Sequence, residues 1–202
     1  MTEFKPGEIS LIDRAIGFAA REHHNQMRKT GEKIPYIAHP FAVAMILQQM
    51  GCREEVVVAG LLHDTVEDTK VGIEDIRSQF GNDVANIVTG CTELPKRSNS
   101  WKERKTQMIA SLREASIEVK LVAAADKYHN LSHTLASIKT TGPNIWKQFG
   151  QGQEQQAWYY RNVYESILAN AASQDGCWLF EQLGEVISEL FEGIPSRPPS
   201  SW

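Results

Sequence analysis

Cysteine is scarce in this sequence. Cys52, Cys91 and Cys177 are the only three among 202 residues, widely spaced and without a C-x-x-C pair. That excludes a disulfide framework and a zinc ribbon, and fits reduced, half-buried small residues. Long apolar runs are missing too: none approaches the roughly 20 residues that cross a bilayer. The start Met1-Thr2-Glu3-Phe4-Lys5-Pro6 lacks the apolar core of a signal peptide, so a cytoplasmic location is expected. Positive charge is not in excess, with 21 Lys and Arg against 25 Asp and Glu and a net charge of −4. This disfavours binding to a nucleic-acid polymer, whose affinity rests on phosphate neutralisation, and no membrane partner is expected. No Pro/Gly/Ser linker interrupts the middle and no internal repeat is seen, so one domain is expected over residues 1–193. The remainder, 194–202, has little capacity to fold.

What is present is helical periodicity. Leu11, Ile12, Ala15, Ile16 and Ala19 share one face, as do Phe41, Ala44, Met45 and Leu47 after His39-Pro40. Pro40 suits the first turn of a helix and would set His39 just before it. Further helices are expected at about 54–68, 73–80, 82–92, 101–114, 117–138, 153–172 and 177–192, divided by Gly51, Gly72, Gly81, Pro95, Gly142-Pro143 and Gly150. No hairpin signal appears, so the class is all-α, with roughly 8–10 helices. Residues 95–100 read as a polar loop. The stripe Leu179, Leu183, Val186, Ile187, Leu190 and Phe191 reads as core.

Against this background His39, the pair His63-Asp64, and Asp126 stand out. They come from three separate helical segments, and His63-Asp64 closes the apolar run Val56 to Leu62, where a polar end must be satisfied. Two imidazoles and two carboxylates form a mixed nitrogen and oxygen donor set that suits Mn²⁺, with Fe²⁺ or Mg²⁺ as alternatives. On a continuous helix 54–68, Glu67 and Asp68 would lie one turn beyond His63 and Asp64. Carboxylates at a helix C-terminus oppose the macrodipole, so a compensating cation or a task is expected there. His129 and His133 are spaced by four, but Asn130 stands where a metalloprotease helix carries glutamate. His23-His24 reads as a surface pair.

The ordered motifs Arg28-Lys29-Thr30-Gly31-Glu32, Pro35-Tyr36-Ile37-Ala38-His39-Pro40, Leu61-Leu62-His63-Asp64-Thr65-Val66-Glu67-Asp68-Thr69, Phe80-Gly81 and Ala125-Asp126-Lys127-Tyr128-His129-Asn130 carry a resemblance. The chain resembles the HD-domain phosphohydrolases, and among them the small alarmone hydrolases related to the hydrolase half of RelA/SpoT proteins. The likeness covers about 12–134, with C-terminal helices at about 144–193. It implies a single HD-domain helical bundle whose Glu67 and Asp68 orient or deprotonate the attacking water, and whose Arg28 stacks on the nucleobase. No alarmone-synthesising half is expected, since the sequence ends soon after the hydrolase region. One departure is local: relatives read Lys-Leu-Ala-Asp where this chain reads Ala123-Ala124-Ala125-Asp126, which leaves the substrate's identity open.

Other candidate substrate contacts follow from position. Arg28 and Lys29 are a basic pair before the Gly31 turn, with an ordinary basic helix end as the alternative. Lys96, Arg97, Lys102, Arg104 and Lys105 oppose one acid, Glu103, and offer a phosphate clamp or a solvated loop; Lys102 and Lys105 are the stronger candidates. Asn130, one turn after Asp126, can donate its amide to substrate. Tyr159, in Trp158-Tyr159-Tyr160-Arg161, sits where the family often shows an aromatic helix, and is either a ribose or base contact or packing. The expected activity is Mn²⁺-dependent hydrolysis of the 3′-pyrophosphate of (p)ppGpp, a small nucleotide substrate, to GDP or GTP and pyrophosphate. The alternatives are hydrolysis of an adenosine alarmone, NADPH or another nucleotide phosphate, and a catalytically weak nucleotide-binding protein. Base preference, physiological metal and oligomeric state stay open.

Overall fold

The structure, a computed structural model, describes residues 9–28, 33–171 and 177–195. Among these residues there are ten α-helices, one 3₁₀ segment and no strand, and no helix is long and apolar enough to cross a membrane. The chain divides into two compact units, 1–92 and 93–202.

The first unit contains α1 (Leu11–Glu22), α2 (Ala38–Gln49), α3 (Glu54–Leu62), α4 (Thr65–Asp68), α5 (Ile73–Phe80) and α6 (Asn82–Cys91). Ser10 begins α1, its hydroxyl accepting from the Asp13 amide, so one of the helix's first four N–H groups is satisfied. Every residue from Val56 to Leu62 is buried. An all-round apolar helix belongs at the centre of a core, and α3 does pack against α1, α2 and α6. Gly60 permits this closeness: a Cβ there would lie 2.5 Å from Leu47 Cδ1 and 3.5 Å from Ala44 Cα on α2. Gly81, at φ +91°, makes the corner between α5 and α6. Phe80 just before it meets Phe18 of α1 edge-on at 5.3 Å.

The second unit contains α7 (Trp101–Glu114), α8 (Ile117–Thr141), a 3₁₀ segment (Pro143–Gln148), α9 (Gln153–Leu168) and α10 (Cys177–Leu190). A capping box starts α7: the Ser100 hydroxyl accepts from the Glu103 amide while the Glu103 carboxylate accepts from the Ser100 amide. Helix α9 packs on α7, and α10 packs on α8 and α9. The expected stripe on α10 is core within this unit, with Leu179, Leu183, Ile187, Leu190 and Phe191 buried and Val186 half-buried.

Several boundaries differ from expectation. The single helix at 54–68 is two helices, parted at His63-Asp64. The cause lies in side chains that take backbone carbonyls: His63 Nδ1 bonds the Gly60 carbonyl at 2.8 Å, and the Thr65 hydroxyl donates to the Leu62 carbonyl at 2.6 Å. The macrodipole argument for Glu67 and Asp68 therefore falls, because they sit in a four-residue helix of their own. His39 is the second residue of α2 rather than the residue before it. Arg28 is not at a helix end, since α1 stops at Glu22. It follows an antiparallel bridge between Met27 and Pro35, with its amide donating to Ile34. His23 is not on the surface: it is 1% exposed, while His24 is exposed as expected. Lys29, the Gly31 turn and residues 196–202 lie outside the described residues.

Candidate metal centre

The run of buried apolar residues in α3 forces His63 and Asp64 to emerge from the core as a pair. His63 is 4% exposed and His39, from the first turn of α2, is 1% exposed. Their rings lie 5.3 Å apart. Three groups converge on one oxygen, Asp64 Oδ2: His63 Nε2 at 3.2 Å, His39 Nε2 at 3.5 Å and the Tyr36 hydroxyl at 2.5 Å. The Tyr36 hydroxyl donates there. A carbonyl can only accept, so His63 Nδ1 carries the proton given to Gly60, and on a neutral ring Nε2 turns its lone pair toward the carboxylate. A lone pair and a carboxylate oxygen 3.2 Å apart repel unless a cation or a proton lies with them. The donor set of His39, His63 and Asp64 therefore fits a divalent ion of borderline character.

Three and four residues after Asp64 come Glu67 and Asp68, both half-buried in α4. Their helix is held by the Asp68 amide donating to the Asp64 carbonyl at 3.0 Å, the Thr69 amide donating to the Thr65 carbonyl at 3.1 Å, and the Gln26 side chain, whose Nε2 donates to the Asp68 carbonyl at 2.6 Å. Arg28 places its guanidinium 5.9 Å from the Tyr36 ring centre.

In the second unit Asp126 is 8% exposed on α8. Its Oδ1 accepts from Asn130 at 2.6 Å and its Oδ2 from Lys127 at 2.5 Å. Asn130 thus spends one amide hydrogen on Asp126. Near this helix lies a largely buried charged network that the sequence did not reveal. Glu93 accepts from Arg104 at 2.6 Å and from Lys105. Lys105 also lies 4.3 Å from the centre of the Tyr159 ring. Burial alone would raise the Glu93 pKa, but Lys105, Lys127 and Arg104 outweigh it and hold the carboxyl below its usual range. Burial pushes the Tyr160 phenol up to about 12, and Tyr159 also upward.

Among the expected substrate contacts, Lys102 is exposed on α7, whereas Lys105 is tied into the ion pair with Glu93. Tyr159 is 2% exposed and packs against Trp101 and Tyr160. Ala123 is buried on α8, so no charge stands there. Cys52 and Cys91 are half-buried thiols, as expected. Tyr36 and Glu93 went unassigned in the sequence. Tyr36 lies inside the Pro35–Pro40 motif, where a phenol three residues before a ligand was the available signal. Glu93 lies just outside the 96–105 window in which charges were counted.

Comparison with protein families matches the HD domain over residues 15–155. Guanosine-3′,5′-bis(diphosphate) 3′-pyrophosphohydrolase MESH1 of Xenopus tropicalis is 42% identical over 146 residues, which is 70% of this chain and 76% of that protein. The Danio rerio protein of the same name is 46% identical over 127 residues, 60% of this chain and 68% of its own length. Among solved structures, a metazoan ortholog of SpoT that hydrolyses ppGpp superposes with a TM-score of 0.72 at 28% identity, covering 95% of this chain and 100% of that one.

Proposed function

The chain belongs to the HD domain family and is an enzyme of it, and from that premise we propose that it removes the 3′-pyrophosphate from a guanosine alarmone. With ppGpp the products are GDP and pyrophosphate, and with pppGpp they are GTP and pyrophosphate. The relatives named above as 3′-pyrophosphohydrolases support this substrate class. The carrying observation is the approach of His63 Nε2 to Asp64 Oδ2 at 3.2 Å, with His63 Nδ1 already committed to a backbone carbonyl. His39, His63, Asp64 and Asp126 are the proposed ligands of one divalent ion, Mn²⁺ first and Fe²⁺ or Mg²⁺ as alternatives. Such an ion lowers the pKa of nearby water toward neutrality and polarises a phosphoryl oxygen.

The protein's own groups do the rest. Glu67 and Asp68 orient the attacking water or accept its proton. The water oxygen bonds to the phosphorus on the 3′ oxygen, the bond from that phosphorus to the 3′ oxygen breaks, and the 3′ oxygen leaves as a hydroxyl with the proton that the water gave up. Arg28 offers a flat guanidinium of the kind that stacks on a nucleobase. Lys29, Lys102 and Lys105 are proposed for phosphate, Asn130 for a polar contact to substrate, and Tyr159 for ribose or base. Residues 1–193 are proposed to act as one functional domain, in the cytoplasm, on a small nucleotide and not on a polymer or membrane.

Ala123 favours a second reading. It removes the lysine of the family string, so an adenosine alarmone, NADPH or another nucleotide phosphate is the competing substrate class. A product assay with Mn²⁺ over ppGpp, pppGpp, pppApp and NADPH separates the two. The first reading expects pyrophosphate from the guanosine compounds in preference to the others. Turnover confined to pppApp or NADPH would replace it with the second, and no turnover at all would leave a nucleotide-binding protein.

A further inference from the structure

Gln26 has each of its four polar groups engaged with a different atom. Its amide donates to the His23 carbonyl at 2.9 Å, and its carbonyl accepts from the Tyr36 amide at 2.9 Å. Its side-chain Oε1 meets His23 Nδ1 at 2.8 Å, and its Nε2 donates to the Asp68 carbonyl at 2.6 Å. The orientation of the amide is forced. A backbone carbonyl accepts only, so the nitrogen must face Asp68 and the oxygen must face His23, whose Nδ1 therefore donates. His23 is 1% exposed and its Nε2 is buried with no hydrogen-bond partner among the described residues. A buried imidazole that leaves one nitrogen without a bond is costly as mere filling, which points to a task for the other nitrogen. The other nitrogen, Nδ1, is bonded to Gln26 Oε1.

The two ends of this clamp are informative. One is Asp68, in a helix of only four residues, and a single turn has little stability of its own. The other is Tyr36, whose ring lies 5.0 Å from that of His23 and whose hydroxyl donates to Asp64. We propose that Gln26, locked by His23, is a positioning residue that holds the Glu67-Asp68 turn and Tyr36 in register with the ligand pair His63-Asp64, without itself touching substrate. The proposal rests on the reading of Glu67 and Asp68 as the groups that act on water. Carboxylates that handle a proton must be held within about 0.5 Å, and the Gln26 bond to the Asp68 carbonyl is a tether from outside their helix.

Gln26→Met keeps the length of the side chain and removes both of its bonds. In the full chain with Mn²⁺ and ppGpp, kcat should fall by about 10- to 100-fold, as for other supporting groups of metal sites, while KM and metal content stay within about twofold. In an Asp68→Asn background the same change should cost less than about twofold, because Gln26 acts through that residue. A readout without activity completes the test. Hydrogen exchange at the Asp68 and Thr69 amides should become about tenfold faster, in line with one lost hydrogen bond, with the amides of α6 unchanged. Gln26→Asn, which stays polar but cannot reach, serves if the methionine variant does not fold. Unchanged kcat, a full additive loss in the Asp68→Asn background, or unchanged exchange at Asp68 and Thr69 would overturn the clamp. A wild-type protein inactive on ppGpp would instead remove the proposed activity, and the exchange measurement would then decide the clamp alone.

Discussion

The two units hold their candidate site residues by different physics. In the first, His63 is fixed by the Gly60 carbonyl and Asp64 by the Tyr36 hydroxyl, all uncharged donors or acceptors except the carboxylate itself. In the second, Asp126 is fixed by Lys127, and on α7 Lys105 and Arg104 are fixed by Glu93, so opposite charges balance one another in a largely buried setting. The bonds that fix His63 and Tyr36 in the first unit do not depend on an ion pair. A buried charged network is held only while each member stays ionised, and loss of one leaves the others uncompensated. The first unit should therefore lose function through chemistry, and the second should lose stability through charge.

The sharpest break in this comparison is in the first unit. Glu67→Gln with Asp68→Asn keeps the side-chain shapes and removes both charges, and should slow turnover by about 10²- to 10⁴-fold. Thermal unfolding and metal content should stay near wild type. Steady-state kinetics beside calorimetry checks this, and wild-type turnover would take both residues out of the mechanism.

Next in size is Glu93→Gln. With Arg104 12% and Lys105 17% exposed, the cost should fall below the usual 3–5 kcal/mol for a broken buried pair, at about 2 kcal/mol. The pH sign is fixed by the lowered Glu93 pKa. A carboxyl with a depressed folded-state pKa contributes stability above its ordinary value, here 4.5, and loses it as pH falls below that. Urea midpoints measured from pH 7 downward should fall less steeply in the Gln variant than in wild type. Parallel curves would mean that Glu93 is not held by these cations.

Smaller again is Gly60→Ala, whose new methyl would press on Leu47. Because the obstacle is the far end of a flexible side chain, about 1 to 2 kcal/mol of destabilisation is expected by urea titration. Smallest in stability is Tyr36→Phe, which removes one hydrogen bond to Asp64. About 1 kcal/mol is expected, with a loss of roughly tenfold or more in Mn²⁺ affinity measured by calorimetric titration. Unchanged metal affinity would show that Tyr36 does not support the ligand.

Much of the helical pattern was legible before any coordinates. Residues 101–114 form the expected helix because Ser100 and Glu103 write its capping box in sequence, and 73–80 ends where Gly81 turns the chain. Periodicity and capping are local, and so they can be read locally. The break at His63-Asp64 was not legible, because it comes from side chains competing for the carbonyls of Gly60 and Leu62, while the apolar run itself argues for one helix. The burial of His23 was hidden for a similar reason: its place depends on Gln26 and on a bridge to Pro35. Glu93 escaped because a buried acid is recognised by partners 11 and 12 residues away, not by its neighbours. His39, His63, Asp64 and Asp126 were singled out by residue type and order, and the structure brings the first three together, with both imidazole Nε2 atoms within 3.5 Å of Asp64 Oδ2.

The most direct test is phosphorus NMR of ppGpp incubated with Mn²⁺-loaded protein, with and without a chelator. Pyrophosphate appearing alongside GDP, and stopping on chelation, is the expected result. Release of orthophosphate alone would contradict hydrolysis at the 3′ position, and turnover undiminished by removal of the metal would contradict its proposed metal dependence.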